Sequence, residues 1–301
     1  MTRRKFISMG TTLAMASALP ADTGNAPLSE KPLKVRFLGT GAADWTKELD
    51  AEGMRRRFSS ILLDDDVLVD FHASALDMIP EGIKPSAVFY THSHYDHYNP
   101  SAALKAGVKN VYCECGWAKE AREEFAAAAM SLGVEPPKVH ELKIGEKAVC
   151  GNLAFLPLPA SHMTRRKNEN ALIYLIEKNT PKGLVRLLYA VDTSVIVARA
   201  AILMGIDLHG RGEGITAVIF EATNGAKYHE DFRLFSHAST LDVERFVKVI
   251  TKTGRYRPHT PDQKVYLTHM AKELHPTHSV LAKSLPSPLT PAYDGLEVYF
   301  G

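Results

Sequence analysis

Four side chains able to hold a metal ion stand within the six positions 92–97, in the segment Tyr90-Thr-His92-Ser-His94-Tyr-Asp96-His97. Imidazole nitrogens and carboxylate oxygens are good ligands for divalent cations, and buried without a partner they are costly. On an extended chain side chains alternate faces, so His92 and His94 are expected to reach one ion together. A turn after them brings Asp96 and His97 in from another backbone direction, towards a second ion about 3.5–4 Å from the first. The chemistry of such a pair is hydrolytic: a water bridging two cations loses its proton near neutral pH and attacks as hydroxide, while the cations neutralise charge on the substrate. These ligand types suit zinc, and manganese or iron fit as well because no cysteine is required.

The elements that must position this segment alternate between short strands and helices. Leu33 to Leu38 alternates in character and stops at Gly39-Thr-Gly41, a strand followed by a turn. Ser59 to Phe71 reads as two strands hinged at Asp64-Asp65-Asp66, and Ala87 to Tyr90 as an apolar strand ending in the histidine cluster. Further strands fit Asn152 to Pro157, Ala171 to Glu177, Val185 to Val191, Thr216 to Phe220 and Val265 to Thr268. Helices fit Ala118 to Leu132, stopped by Gly133, and the amphipathic run Leu241 to Thr251. No repeat or low-complexity linker interrupts them, so one continuous mixed domain is expected.

Composition bounds the function classes. The 301 residues are 45% hydrophobic and 23% charged, a balance that can bury a large core. A net charge of +2 offers no broad positive field, and no nucleic-acid partner is expected. Cys113, Cys115 and Cys150 are too few for a disulfide framework. At the N-terminus Arg3-Arg4-Lys5-Phe6-Ile7 leads into an apolar run to Leu19 and then a Pro/Ala/Asp/Gly/Asn segment, the order of a twin-arginine-type export signal. Residues 1–26 are therefore expected to be signal and linker read by the export machinery, and 27–301 the folded domain, periplasmic or secreted. The apolar run is too short and too rich in Ser, Thr and Gly to span a bilayer, which takes about 20 strongly apolar residues, so no stable membrane anchor is expected.

The order His92, His94, Asp96, His97 matches the H-x-H-x-D-H signature of the metallo-β-lactamase superfamily, which the sequence after the signal resembles over most of its length. The resemblance implies an α/β fold, the four-layer αββα sandwich, and two divalent metal ions. It also supplies the remaining ligands. Leu-Pro-Ala-Ser-His162 stands where the family has a third histidine for the first ion, Leu-Leu-Tyr-Ala-Val-Asp192-Thr where an aspartate bridges both, and Val265-Tyr-Leu-Thr-His269 where the last ligand follows a late strand. Taken singly, His162 and His269 would more often be ordinary histidines, and Asp192 suits a helix N-cap as well as a bridge. Histidines 72, 140, 209, 229, 259, 275 and 278 lack this context and are expected not to be ligands.

Within the superfamily the sequence is similar to the branch of tRNA 3′-processing endonucleases and a cyclic phosphodiesterase of phosphonate breakdown. Phe37-Leu-Gly39-Thr-Gly41, Arg57-Phe-Ser-Ser-Ile-Leu-Leu63 and Val67-Leu-Val-Asp70 carry that likeness, although Ala42-Ala-Asp-Trp45 departs from the commoner continuation. Ser236-His237-Ala-Ser-Thr240 resembles the branch's additional histidine motif, so His237 is expected to act as acid or phosphate ligand, with a helix-cap role as the alternative. The long gap from His237 to His269 implies an insertion around Gly254 to Gln263. Asp96 and His237 are thus the expected catalytic residues, Asp96 serving also as ligand. Arg165 and Arg166, just after His162, are expected to contact an anionic substrate; Arg55-Arg56-Arg57 invites the same reading less directly. The expected activity is dinuclear hydrolysis of a small phosphodiester or cyclic phosphate. Lactone or β-lactam hydrolysis, a di-iron redox centre, and a metal-binding protein without turnover are the alternatives.

Overall fold

Alternation of large apolar residues on both faces of the strands forces each sheet to be covered twice, and the computed structural model satisfies this with four layers. It describes residues 27–45, 48–206, 209 and 212–301; the export-signal segment 1–26 lies outside the described residues. Strands β1 (Leu33–Gly39), β2 (Ser60–Leu63), β3 (Val67–Val69), β4 (Ala87–Phe89), β5 (Asn110–Glu114) and β6 (Lys138–Leu142) form one sheet, closed at its edge by the last strand, β14 (Glu297–Phe300), in the order β14-β1-β2-β3-β4-β5-β6. The second sheet runs β13-β12-β11-β10-β9-β8-β7, from β7 (Ala148–Cys150), β8 (Leu153–Pro159), β9 (Leu172–Thr180), β10 (Gly183–Ala190), β11 (Ala217–Glu221) and β12 (Val265–Thr268) to β13 (Leu289–Pro291). Between the sheets lie Leu33, Val35, Phe37, Val69 and Phe89 against Phe155, Tyr174, Leu187 and Ile219. The residues between them in sequence face outward. Leu62, Leu68, Val88 and Tyr90 meet helices α1 (Pro100–Ala106) and α2 (Ala118–Leu132), while Leu156, Leu175, Leu188 and Phe220 meet α3 (Ala198–Leu203), α4 (Thr240–Lys252) and α5 (His278–Ser284). This is the expected αββα sandwich. No helix among the described residues is long and apolar enough to cross a membrane.

Local chemistry places the element ends where the sequence suggested. Asp64 and Asp65 turn between β2 and β3 at φ +49° and +58°, a region that short polar side chains tolerate. Gly133 ends α2 at φ +67°, and Ser239 with Asp242 forms a capping box at the start of α4. Residues 254–263 form the loop between α4 and β12.

Strand β4 leads directly to the histidine segment, and its last residue, Phe89, is fully buried between the two sheets. Phe89 stacks on Phe155 across the sheets, with ring centroids 3.7 Å apart, and on Tyr112 of β5 at 4.1 Å. Phe89→Ala should lower unfolding free energy by about 3–5 kcal/mol, read from urea denaturation, because the cavity left between two sheets cannot collapse.

Candidate metal centre

Every residue assigned to the centre lies at or beyond the carboxyl end of a strand. β4 ends at Phe89, so His92 and His94 are not on an extended strand; the loop 91–97 brings them together, and the strand-alternation reason for their pairing fails while the pairing holds. Asp70 after β3, Asp192 after β10 and His269 after β12 have φ of +53°, +52° and +51°, a left-handed kink that turns each side chain inward over the sheet edge. Asp192 caps no helix: α3 begins at Ala198 with Val197 at its N-cap.

The seven side chains gather into two triplets joined by Asp192. Ligand atoms of His92, His94 and His162 lie within 4.8 Å of one another, as do those of Asp96, His97 and His269. Asp192 Oδ2 stands 3.2 Å from His92 Nε2 and 2.8 Å from His97 Nε2, and its Oδ1 is 3.3 Å from His269 Nε2. The hydrogen-bond network then fixes which nitrogen each ring presents. Nδ1 of His97 donates to Asp70 Oδ2 at 2.9 Å, Nδ1 of His162 to the carbonyl of Ser236 at 3.1 Å, and Nδ1 of His269 to Thr223 Oγ1 at 2.8 Å. Thr91 gives its own proton to Asp70, so its oxygen accepts from Nδ1 of His92 at 2.9 Å. Four rings therefore turn an Nε2 lone pair towards the centre.

Among the described residues, those lone pairs meet nothing that suits them. His97 and His269 bring Nε2 atoms to 3.2 Å of each other, and His162 Nε2 comes to 3.2 Å from His94 Nδ1. His92 Nε2 and Asp192 Oδ1 are buried and make no hydrogen bond, their close approaches having the wrong angles for one. Buried lone pairs facing one another are repulsive unless a cation lies between them, so this donor set fits divalent metal ions. Without them, protons carry the positive charge. Burial opposes charge on His97, but Asp192, Asp96 and Asp70 outweigh it and hold the ring well above the ordinary histidine range. Burial, reinforced by His97, pushes His92 well below that range, and burial with His162 lowers His94 to about 4. Asp96 and Asp192, although buried, are held well below the carboxylate range by the surrounding histidines.

A further acid group closes one side. His237 Nδ1 lies 3.2 Å from both Glu221 Oε2 and Asp192 Oδ1, and burial notwithstanding, Glu221 and Asp192 push the ring up to about 11. Nδ1 is thus occupied, and Nε2 on the far side of the ring is left to the cavity that His237 lines. His237 caps no helix, since Ser239 does that for α4. Glu221, fully buried at the end of β11, accepts from Thr193 N at 2.5 Å and from Thr223 Oγ1 at 2.5 Å. Glu221, Thr223 and the orienting role of Asp70 were not read from the sequence; an acidic residue closing a buried strand was the available signal for Glu221.

The cavity has a volume near 400 Å³ and is lined by His94, Asp96, His162, Asp192, His237 and His269. Arg165 reaches it and makes no hydrogen bond or ion pair among the described residues. Arg166 does not reach it. Its guanidinium bonds Glu124 at 2.9 Å and Ser93 Oγ at 2.9 Å and lies over the Trp117 ring, so it braces the loop of His92 and His94 instead. The second cation of the lining is Arg233, which no motif marked. Arg55, Arg56 and Arg57 line a separate cavity, with Arg56 buried against Thr40 and Arg57 paired to Asp77. Among the other histidines, His72 caps the 3-10 turn at Ala73–Met78, His140 stacks on Tyr112, and His275 donates to the carbonyl of Ala222.

Comparison with known proteins places this arrangement. A diphosphatase of the PhnP family matches with a TM-score of 0.57 and 19% identity over 89% of this chain and 97% of its own. YhfI of Bacillus subtilis, a metallo-β-lactamase fold protein, matches at 0.62 and 16% over 89% and 99%, and the short form of human tRNase Z at 0.58 and 16% over 89% and 99%. At these identities the likeness is one of fold. No curated protein matches the sequence. The model of the β-lactamase superfamily domain matches residues 67–270, more than half of the chain and the span that holds all seven converging residues, and the chain belongs to the metallo-β-lactamase superfamily.

Proposed function

We propose that the protein is a dinuclear metal-dependent hydrolase of small phosphodiesters or cyclic phosphates, related to the tRNase Z and phosphodiesterase branch of its superfamily. The carrying observation is the position of Asp192, within 3.3 Å of histidines from both triplets. On this reading His92, His94 and His162 hold one ion, Asp96, His97 and His269 the other, and Asp192 both. Two divalent ions, zinc by ligand type with manganese or iron also suited, would supply Lewis acidity that lowers the pKa of water and offsets charge on a phosphate. Arg165 and Arg233 attract and orient the anion at the mouth. His237 holds a proton at Nε2, with Glu221 behind Nδ1 keeping the ring charged and aimed. In the overall step the oxygen of water joins phosphorus, the bond from phosphorus to the leaving oxygen breaks, and that oxygen takes the proton from His237; the proton that water gives up passes through solvent and restores His237, leaving a phosphomonoester and an alcohol. The small volume of the cavity supports a small substrate, and the names of two fold relatives, a diphosphatase and a tRNase Z, support phosphate-ester chemistry.

The test is metal analysis of the purified protein beside a screen of chromogenic phosphodiesters, phosphomonoesters, lactones and β-lactams. Phosphodiester turnover that chelation removes and zinc restores supports the proposal; cleavage of lactones or β-lactams alone overturns its substrate. Asp70→Asn should weaken metal affinity by about 10- to 100-fold in a competition with a chelating dye, because an amide no longer fixes the His97 tautomer. We further propose that the reaction takes place outside the cytoplasm, supported by the Arg3-Arg4 segment of the sequence; fractionation of cells expressing the full chain checks it.

A further inference from the structure

The segments that carry two residues of the cavity lining, His162 and His237, also expose large apolar side chains to a degree that neither the fold nor the ligand set requires. Phe232 and Phe235 are 73% and 69% exposed, in the 3-10 turn Phe232–Phe235 that runs into His237, and Met163, 67% exposed, directly follows His162. The two segments are joined. His162 Nδ1 donates to the carbonyl of Ser236 at 3.1 Å, and His237 N donates to the carbonyl of Arg233 at 2.7 Å, so the backbone that places the two histidines also carries the apolar side chains. Arg233 connects this turn to the cavity: its guanidinium lies 4.9 Å from the centre of the Phe232 ring, and it lines the cavity with Arg165. Single exposed apolar residues need no explanation, but several large ones beside a concave polar site form a surface for a ligand. Charge narrows the ligand further. Asp44 and Glu273 also line the cavity, and Arg233 already shares its charge with Asp231 at 2.8 Å. A dianion gains little there, whereas a monoanion matches Arg165, the lining guanidinium that has no partner among the described residues.

We propose that the substrate is a monoanionic phosphodiester with one apolar arm, an alkyl chain or aryl ring, which lies over Phe232, Phe235 and Met163 while Arg165 and Arg233 hold the anion. This rests on the hydrolytic reading above. The arm loses contact with water only if it follows the turn, which makes Phe232 and Phe235 specificity-determining residues. A macromolecule seated on the same turn is the competing occupant.

The experiment keeps the leaving group constant and varies the other arm: zinc-loaded full-length protein is given methyl and octyl p-nitrophenyl phosphate, below the micelle threshold of the latter. The octyl ester should be preferred at least about tenfold in kcat/KM, carried by KM, equivalent to ~1.4 kcal/mol of added binding. In the Phe232→Ser/Phe235→Ser double variant, whose exposed side chains the fold does not need, that preference should fall towards one. Equal use of both esters by the wild type overturns the proposal, as does an equal loss on both esters in the variant, which would mean that the turn only shapes His237 or seats a macromolecule. If neither ester is cleaved the phosphodiesterase reading fails by itself, and calorimetric binding of octylphosphonate against methylphosphonate decides the apolar arm. Tenfold tighter binding of the octyl compound that the double variant loses supports it, and equal binding overturns it.

Discussion

Asp192→Ala is expected to lower kcat/KM for phosphodiesters by at least about 1,000-fold, on the order of 4 kcal/mol, with loss of metal from both positions rather than one. The two oxygens of Asp192 reach different histidine sets, Oδ2 towards His92 and His97 and Oδ1 towards His269 and His237. Removing this carboxylate therefore takes the shared negative charge from both proposed ions at once. His162→Ala, by contrast, removes one donor from the first triplet alone and should leave one ion bound. Metal counts by mass spectrometry on the folded variants check both outcomes; a full complement of two ions in Asp192→Ala would end the case for a bridging role.

His237→Ala should give a loss of about 100- to 10,000-fold in kcat with two ions still bound, the range expected for one positioned proton donor. The ring lies within 3.2 Å of Asp192 and clusters with Asp192, Glu221 and His269, but its Nδ1 faces the Glu221 carboxylate and it belongs to neither triplet, so its removal leaves the seven proposed ligands in place. The pattern across substrates is the sharper test. A p-nitrophenolate leaving group departs without help from an acid, whereas an alkoxide needs the proton, so the variant should lose far more on dialkyl or cyclic alkyl phosphates than on p-nitrophenyl esters. An equal loss on both classes would assign His237 to phosphate binding. Glu221→Gln should share the leaving-group dependence in weaker form, since it acts through His237 Nδ1.

Of the seven converging side chains, His92, His94, Asp96 and His97 could be read from their own cluster, whereas His162, Asp192 and His269, each beyond a short apolar run, were supplied by the family resemblance. Asp70 obeys the same pattern, yet its role depends on facing His97 and Thr91 across the gap from β3 to β4, which only the sheet order supplies. Glu221 and Thr223 were hidden for the same reason: they act because β11 lies between β10, which leads to Asp192, and β12, which leads to His269. Arg165 and Arg166 show a different limit. Adjacent residues in a loop point in different directions, and Arg166 found Glu124 and the Trp117 face while Arg165 found the cavity. Strands β5, β6, β7, β13 and β14 and helices α1, α3 and α5, all short, went unread; α1 did carry start and stop signals in Asn99-Pro100 and Gly107, and the paired registers of β5 with β6 and β1 with β14 are what complete the first sheet.

The left-handed backbone at Asp70, Asp192 and His269 has an evolutionary corollary. Residues held there cost on the order of 1–3 kcal/mol each, with aspartate towards the lower end, and a glycine would sit in the same place without that cost. Relief of that strain does not by itself make the sandwich sturdier, because Asp70 accepts from Thr91 N, Thr91 Oγ1 and His97 Nδ1, and its loss would leave these buried donors unpaired. A lineage that lost the reaction could relax the kink at Asp70 only by also repairing those hydrogen bonds, so drift to glycine there takes more than one substitution.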